Sequence, residues 1–412
     1  MKKIATLVFS LICSINAFSQ CGVGGRFQNE VFPGFFNGGF PSLPGAVVYG
    51  SNTNYQGGTE NLDMYVFEPE GDTMAHRPLV ILAFGGSFIS GFKESPDVLK
   101  LCDAYVKRGY VAVSIKYRIG ADPIDSVNMM KAVLRGMQDM KGCIRFFYKD
   151  AATTNTYRID TNNIFVGGVS AGAFVGIHSA YLNDINELQP WIAQAADAIG
   201  GLEGASGNPG YSTHVKGVIN LCGAIGDTLW MQPGDPGIVS MHGTNDGTVP
   251  YGSEVINVSG VNIIEVDGSY PLDIRAENIG LSHSFHTWYG ADHVPFVNYI
   301  IPGSEGAQYM DSTINFTSDF LFSQVCGEVG IFGPDKESKV KVFPNPSQAA
   351  MVIETGFVGF EAEIFDATGK KVKTLAASGS RMVLSKDDLG AGFFLAKINS
   401  GSNRISKRII FE

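Results

Sequence analysis

The stretch that decides the fold is Asn163-Ile164-Phe165-Val166-Gly167-Gly168-Val169-Ser170-Ala171-Gly172. An apolar run from Asn163 to Gly167 leads into Gly168-Val169-Ser170-Ala171-Gly172, and a helix-like segment, Ala171 to Leu182, follows. This is the pattern of a nucleophile elbow, a sharp strand-to-helix turn that pushes a serine hydroxyl out of the backbone. Glycines two residues to either side are required because the turn crowds its neighbours against strand and helix. In a chain with 51 glycines the pattern alone is weak, and its weight comes from what flanks it.

Outward from the elbow, short apolar runs alternate with amphipathic segments from Asn61 to about Phe322, the signature of a mostly parallel sheet covered by helices. Leu79 to Phe84 reads as a central strand buried on both faces. Ser95-Pro96-Asp97 opens a helix with apolar Val98, Cys102, Tyr105 and Val106, which Gly109 stops. Tyr110 to Tyr117 is the next strand, and Asp125-Ser126 caps a second helix whose Met130, Val133, Leu134, Met137 and Ile144 stripe reads as core packing. Further strands are expected at Ile164 to Val166, Val215 to Leu221, Gly237 to Met241 and Phe285 to Tyr289. The long connection after the elbow helix, with Trp191, Gly200-Gly201 and Gly204, reads as an insertion over the sheet edge that forms a partial lid.

The 412 residues are 44% hydrophobic, enough for two or three domains with a sizeable core. A net charge of -10, without a Lys/Arg run, argues against a nucleic-acid partner. Met1-Lys2-Lys3, an apolar Ile4 to Ile12 and the small residues of Ala17-Phe18-Ser19 read as a cleaved secretion signal over residues 1–19. That apolar run is too short to span a bilayer, and no later stretch is long enough. Lipidation at Cys21 is the alternative, disfavoured by Gln20 before it. Cys13 leaves with the signal, so Cys21, Cys102, Cys143, Cys222 and Cys326 remain, an odd count that demands a free thiol. The expected pairs are Cys21 with Cys326, which bracket the main domain, and Cys102 with Cys143, on the two helices before the elbow, with other connectivities open. Cys222, in an apolar run, reads as buried and inert, and no Cys/His spacing suits zinc.

Residues 20–326 are expected to form the main domain, 327–339 a polar linker, and 340–412 a small β-sandwich of short alternating strands with turns such as Pro344-Asn345-Pro346 and Gly390-Ala391-Gly392. From Asp335 onward the chain carries 12 Lys/Arg against 9 Asp/Glu, a net of +3, so the rest carries about -13.

A serine hydroxyl needs a general base, and the base needs a carboxylate to orient it. On a sheet of this kind the three arrive in the order Ser, Asp, His at the carboxyl ends of successive strands. After Ser170, the strand Gly237 to Met241 ends in His242-Gly243-Thr244-Asn245-Asp246-Gly247, which places Asp246 as the orienting acid. Of His283, His286 and His293, only His293 lies past the last strand, so it is the expected base. His178 and His242 read as structural. Backbone N–H groups of Gly86 and Ser87, in Phe84-Gly85-Gly86-Ser87-Phe88, and of Ala171 are the expected oxyanion donors. This chemistry calls for no metal and no organic cofactor.

Together, the elbow, Phe84-Gly85-Gly86-Ser87-Phe88 and the His242 to Tyr251 stretch resemble the α/β-hydrolase superfamily, particularly its carboxylesterase and lipase branch, from roughly Asn61 to Phe322. One departure is Phe84, where relatives usually have His or Tyr, so hydrogen bonding that braces the oxyanion loop is expected to be lost. The tail's Val342-Phe343-Pro344-Asn345-Pro346, Ile364 to Lys370, Gly392-Phe393-Phe394 and Lys407-Arg408-Ile409-Ile410 resemble the sorting domain of type IX secretion cargo. That resemblance implies a secreted or cell-surface protein handled by the type IX machinery. A carbohydrate-binding tail is disfavoured because it has no Trp or Tyr to stack on sugars. The expectation is an exported serine carboxylic-ester hydrolase working through an acyl-enzyme on a small-molecule or polysaccharide-linked ester. The alternatives are a prolyl-oligopeptidase-like serine peptidase, disfavoured by the lack of a preceding propeller, and a catalytically silent surface binding protein.

Overall fold

A computed structural model describes residues 21, 25–37, 39–301, 303–327, 340–356, 358–366, 370–400 and 403–411. The expected signal segment, most of the linker and the Ala367-Thr368-Gly369 turn lie outside the described residues. The chain divides into two compact units, residues 1–327 and 328–412.

In the first unit, a two-residue ladder, β1 (Phe36–Asn37) with β2 (Phe40–Pro41), precedes the main sheet. That sheet has eight strands: β3 (Val47–Thr53), β4 (Thr59–Phe67), β5 (Arg77–Ala83), β6 (Val111–Ile115), β7 (Ile159–Val169), β8 (Gly217–Leu221), β9 (Gly237–Gly243) and β12 (His283–Trp288). Their order is β12-β9-β8-β7-β5-β6-β4-β3, parallel from β12 to β6, with β4 and β3 added antiparallel at one edge. Every residue of β5, β6, β8 and β9 is buried, as expected of strands covered on both faces.

Helix α1 (Pro96–Lys107) follows β5, with Pro96 in its first turn and Gly109, at φ 95°, just past its end. Helix α2 (Ser126–Ala152) begins at Asp125, whose side chain accepts the Asn128 N–H at 2.8 Å. After β7 come α3 (Ala171–Tyr181) and the short α4 (Pro190–Asp197), and α5 (Ser269–Ile279) and α6 (Glu305–Cys326) flank β12.

The crossovers decide the cysteines. The step from β5 to β6 runs toward one sheet edge, and the step from β6 back past β5 to β7 runs toward the other. Right-handed crossovers in opposite directions place α1 and α2 on opposite faces. Cys102 and Cys143 are therefore separated by the sheet, and both are free, buried thiols, which corrects the pairing expected for them. Cys21 is bonded to Cys326, so its sulfur is committed to that bridge and is not available to a lipid. Cys222 is fully buried.

One feature differs from the sequence reading. A hairpin, β10 (Ser253–Val258) with β11 (Val261–Asp267), stands apart from the main sheet. Ser259 and Gly260 at its tip both have positive φ, 51° and 87°, as a type I′ turn requires. The segment after α3 does reach edge strand β3, where a Cβ on Gly50 would lie 1.6 Å from the Ser206 carbonyl oxygen. It is pinned to α2 by Glu203 with Lys141 and Arg145, at 2.6 and 3.1 Å.

The second unit contains two antiparallel sheets. One holds β13 (Val340–Phe343), β14 (Ala350–Thr355) and β17 (Arg381–Ser385); the other holds β15 (Phe360–Asp366), β16 (Lys371–Ala377), β18 (Gly392–Ser400) and β19 (Asn403–Phe411). Alternate residues such as Met351, Ile353, Ala362, Ile364 and Ile398 form its core.

Candidate active site

Ser170 sits between β7 and α3 with φ 55° and ψ -120°, a backbone region that non-glycine residues rarely occupy. The neighbouring glycines explain how it is tolerated. A Cβ on Gly168 or Gly172 would come within 2.2 or 2.0 Å of the Ala83 carbonyl oxygen, so α3 can pack this close to β5 only without side chains there. The Ser170 N–H donates to the Leu221 carbonyl at 2.8 Å, tying the elbow to the end of β8.

Asp246 and His293 leave the ends of β9 and β12. Their loops are stitched together by Asn245 N–H to the Ala291 carbonyl at 3.0 Å, Gly290 N–H to Thr244 Oγ1 at 2.8 Å and Gly247 N–H to Asp292 Oδ1 at 3.2 Å. The structure brings the three expected side chains into one line: His293 Nε2 lies 2.8 Å from Ser170 Oγ, and His293 Nδ1 lies 2.6 Å from Asp246 Oδ2. Asp246 Oδ1 accepts the N–H groups of Thr248 and Val249 at 2.9 and 2.8 Å. Burial works to raise the Asp246 carboxyl, but hydrogen bonds from His242 and His293 overcome it and hold the group well below the usual carboxylate range. An ionised Asp246 can only accept, so His293 carries its proton on Nδ1 and leaves Nε2 free to accept from the Ser170 hydroxyl.

His242 does more than fill space. Its Nε2 reaches Asp246 Oδ2 at 3.0 Å, and its Nδ1 meets Ser269 Oγ at 2.8 Å. Two acceptors, Asp246 Oδ2 and the Val249 carbonyl at 3.2 Å, face His242 Nε2, which therefore carries the proton and leaves Nδ1 to accept from Ser269 Oγ, itself the acceptor of Asn220 Nδ2 at 2.9 Å. The signal for this brace was the i, i+4 spacing of His242 and Asp246. Cys222 packs beneath, its sulfur within 4.8 Å of ligand-capable atoms of Asp246 and His293. Burial, reinforced by the Asp246 charge, pushes that thiol far above its ordinary value and keeps it protonated.

Gly86, Ser87 and Phe88 all have positive φ, 124°, 54° and 62°. A Cβ on Gly86 would lie 2.2 Å from the Ser90 carbonyl oxygen, so this tight loop needs glycine there. Among the described residues, the N–H groups of Gly86, Ser87 and Ala171 donate to no protein acceptor. Bracing that Phe84 cannot supply comes from elsewhere: Tyr117 Oη donates to the Phe84 carbonyl at 2.8 Å, and Gly120 N–H to the Phe88 carbonyl at 2.6 Å.

Beside Ser170 opens an apolar slot of about 50 Å³, lined by Phe88, Met129 and Val133 and by Ile256, Val258 and Ile263 of the hairpin. A second void of about 70 Å³, under Leu188, Ile192 and Trp230, shares Met130, Val133, Phe174, Ile264 and Val266 with it. Thus β10–β11, not the Trp191 segment, walls the slot at Ser170; Trp191 itself lines neither space. His178 ends the second void, its Nδ1 on the Phe174 carbonyl at 2.8 Å and its ring against Trp230, and burial pushes its pKa down to about 4.

Residues 62–226 match the BD-FAE family, an α/β-hydrolase esterase family. The chain carries an esterase-family α/β-hydrolase domain. Residues 341–412 match the secretion system C-terminal sorting domain, which marks the esterase for secretion or cell-surface display by the type IX route. Among solved structures it is similar to Thermogutta terrifontis esterase 2 phosphorylated by paraoxon, with 21% identity, a TM-score of 0.49, and 71% of this chain and 98% of that one covered. The apo form of the same protein matches at 20% identity and its propionate-bound form at 19%, with the same TM-score and coverage. No curated protein sequence matches the chain. No helix among the described residues is long and apolar enough to cross a membrane.

Proposed function

We propose that the exported esterase hydrolyses carboxylic esters with small acyl groups through Ser170, His293 and Asp246. Ser170 Oγ attacks the ester carbonyl as its proton passes to His293 Nε2. Asp246 holds the imidazole in register and stabilises the imidazolium without taking the proton itself. Gly86, Ser87 and Ala171 present N–H groups to the developing oxyanion. His293 returns the proton to the leaving alkoxide, and water then attacks the acyl-enzyme by the same relay run in reverse.

The single observation that carries this reading is the His293 ring bridging Ser170 Oγ and Asp246 Oδ2 at 2.8 and 2.6 Å. The acyl assignment follows from proton return: the leaving oxygen must face His293, and the slot is walled by Ser87, Ser170 and Ala171 but not by His293. The acyl arm therefore enters the slot and the alcohol arm points away.

Short-chain aryl esters and aryl-peptide amides, given to the parent and to Ser170→Ala, test the proposal. The parent turns over esters far faster than amides, and the variant loses about 10⁴-fold or more in kcat, as triad serines do. Equal ester turnover by the two proteins removes Ser170 as nucleophile, and a preference for amides favours the peptidase reading.

A further inference from the structure

Helix α2 separates two concave sites. Met129, Met130 and Val133 face the acyl slot, whereas Asn128, Lys131 and Arg135, spaced i, i+3 and i+7, lie on the opposite side of the helix and line a cavity of about 420 Å³. That volume is nearly three times the roughly 150 Å³ that accepts a benzene ring, and falls in the range of small-ligand sites.

Its wall carries an unusual charge. Arg135 is 5% exposed, and its Nε has no partner among the described residues. Its Nη2 donates only to the uncharged Gly120 carbonyl, and no carboxylate among the described residues is within ion-pair distance of it. Neighbouring Arg118 is engaged in full, with Asp139 at 2.8 Å, the Thr53 carbonyl at 2.8 Å and Gln138 Oε1 at 2.9 Å. Burial and then the Arg118 charge pull the Arg135 pKa down to about 10, so the cation is held at a cost that a bound anion would offset.

The remaining lining sets the size and character of that anion. Lys131 is half-buried and unpaired among the described residues, and Asp122 is exposed on the rim. With Arg118 matched to Asp139, Lys131 and Arg135 against Asp122 leave one uncompensated positive charge, which suits a monoanion better than a phosphate dianion. Asn54 spends its Oδ1 on the Gln56 and Gly58 N–H groups, leaving its Nδ2 to donate. The Tyr55 ring is 42% exposed and packs flat on Gly120, where a Cβ would lie 2.2 Å from Tyr55 Cδ1. An amide donor, an aromatic face and one net cation match a ring that carries hydroxyls, a C–H face and a single carboxylate.

We propose that this cavity binds an acidic sugar, with the carboxylate of a uronic acid on Arg135 and Lys131 and its ring against Tyr55. Gly120 connects the two sites, giving its carbonyl to Arg135 and its N–H to the Phe88 carbonyl in the oxyanion loop.

Titration calorimetry of the full chain at low salt, with glucuronate, galacturonate, glucose and inorganic phosphate, tests it without any ester turnover, so its failure leaves the Ser170 reading untouched. Both uronates are expected to bind at least about tenfold more tightly than glucose or phosphate, the worth of one charge-assisted contact. Arg135→Gln abolishes the preference over glucose. Lys131→Met, at a half-exposed position that preserves the fold, weakens uronate by about threefold or more, and stands in if Arg135→Gln does not fold. Glucose binding as tightly as the uronates, phosphate binding more tightly, no heat with any of them, or uronate affinity unchanged in folded Lys131→Met would each overturn the assignment.

Discussion

Phe174→Ala should lengthen the acyl chain that the enzyme prefers. A benzene ring occupies a cavity of roughly 150 Å³, or about 25 Å³ per carbon, so the 50 Å³ slot accepts about two carbons beyond the ester carbonyl. Each buried methylene contributes about 0.8 kcal/mol, or about fourfold in kcat/KM, so the parent improves from acetate to propionate and falls off beyond propionate. Phe174 lines both the slot and the 70 Å³ void behind it, and its removal joins them. The optimum should then move to about hexanoate, with hexanoate gaining up to about 60-fold relative to acetate, the worth of three more buried methylenes at about fourfold each. Phe174 also packs on Phe88 and His178, with ring centroids 6.2 and 5.9 Å away, so truncation costs about 3–5 kcal/mol of stability and slows every ester. The readout is therefore the shape of the chain-length profile on aryl esters from acetate to decanoate, taken where circular dichroism shows the variant folded. A parent profile that climbs through octanoate, or a variant that keeps the parent's optimum, refutes the wall argument.

Two further outcomes concern stability. The Cys21–Cys326 bridge spans a sequence separation of 305 residues, so Cys326→Ser should cost about 2–5 kcal/mol in guanidinium unfolding, and a loss under about 1 kcal/mol would deny the bridge. His178 has its pKa lowered from 6.5 to about 4 by burial, so below pH 6.5 the unfolded chain takes up a proton that the folded chain refuses. Stability therefore rises with pH between about 4 and 6.5, and the His178 share, about 3 kcal/mol, is lost on acidification. Urea unfolding at pH 7 and pH 4 should show His178→Leu losing about 3 kcal/mol less than the parent across that interval; equal losses would contradict it.

What the chain alone determined is whatever depends on local order. The unbroken apolar run Leu79 to Phe84 could only be a covered strand, Pro96 and Asp125 marked helix starts through backbone geometry and capping, and the elbow glycines announced a close approach of helix and strand. The order of Ser170, Asp246 and His293 was readable for the same reason, since each follows a strand whose carboxyl end faces one rim. Ser259-Gly260 marks a turn in the same local way, but nothing near it in sequence tells that the β10–β11 hairpin stands off the main sheet. Tertiary structure alone decided the rest, because those features rest on pairs distant in sequence. Opposite crossovers put a sheet between Cys102 and Cys143. Tyr117 and Gly120 brace the loop that Phe84 leaves unsupported, and His242, itself held by Ser269 and Asn220, bonds the Asp246 carboxylate directly. Cavity walls belong to this class too: no local pattern reveals that Phe174 divides two voids, or that Arg135 is buried without a counter-charge, since volume and desolvation exist only once separate segments have packed around them.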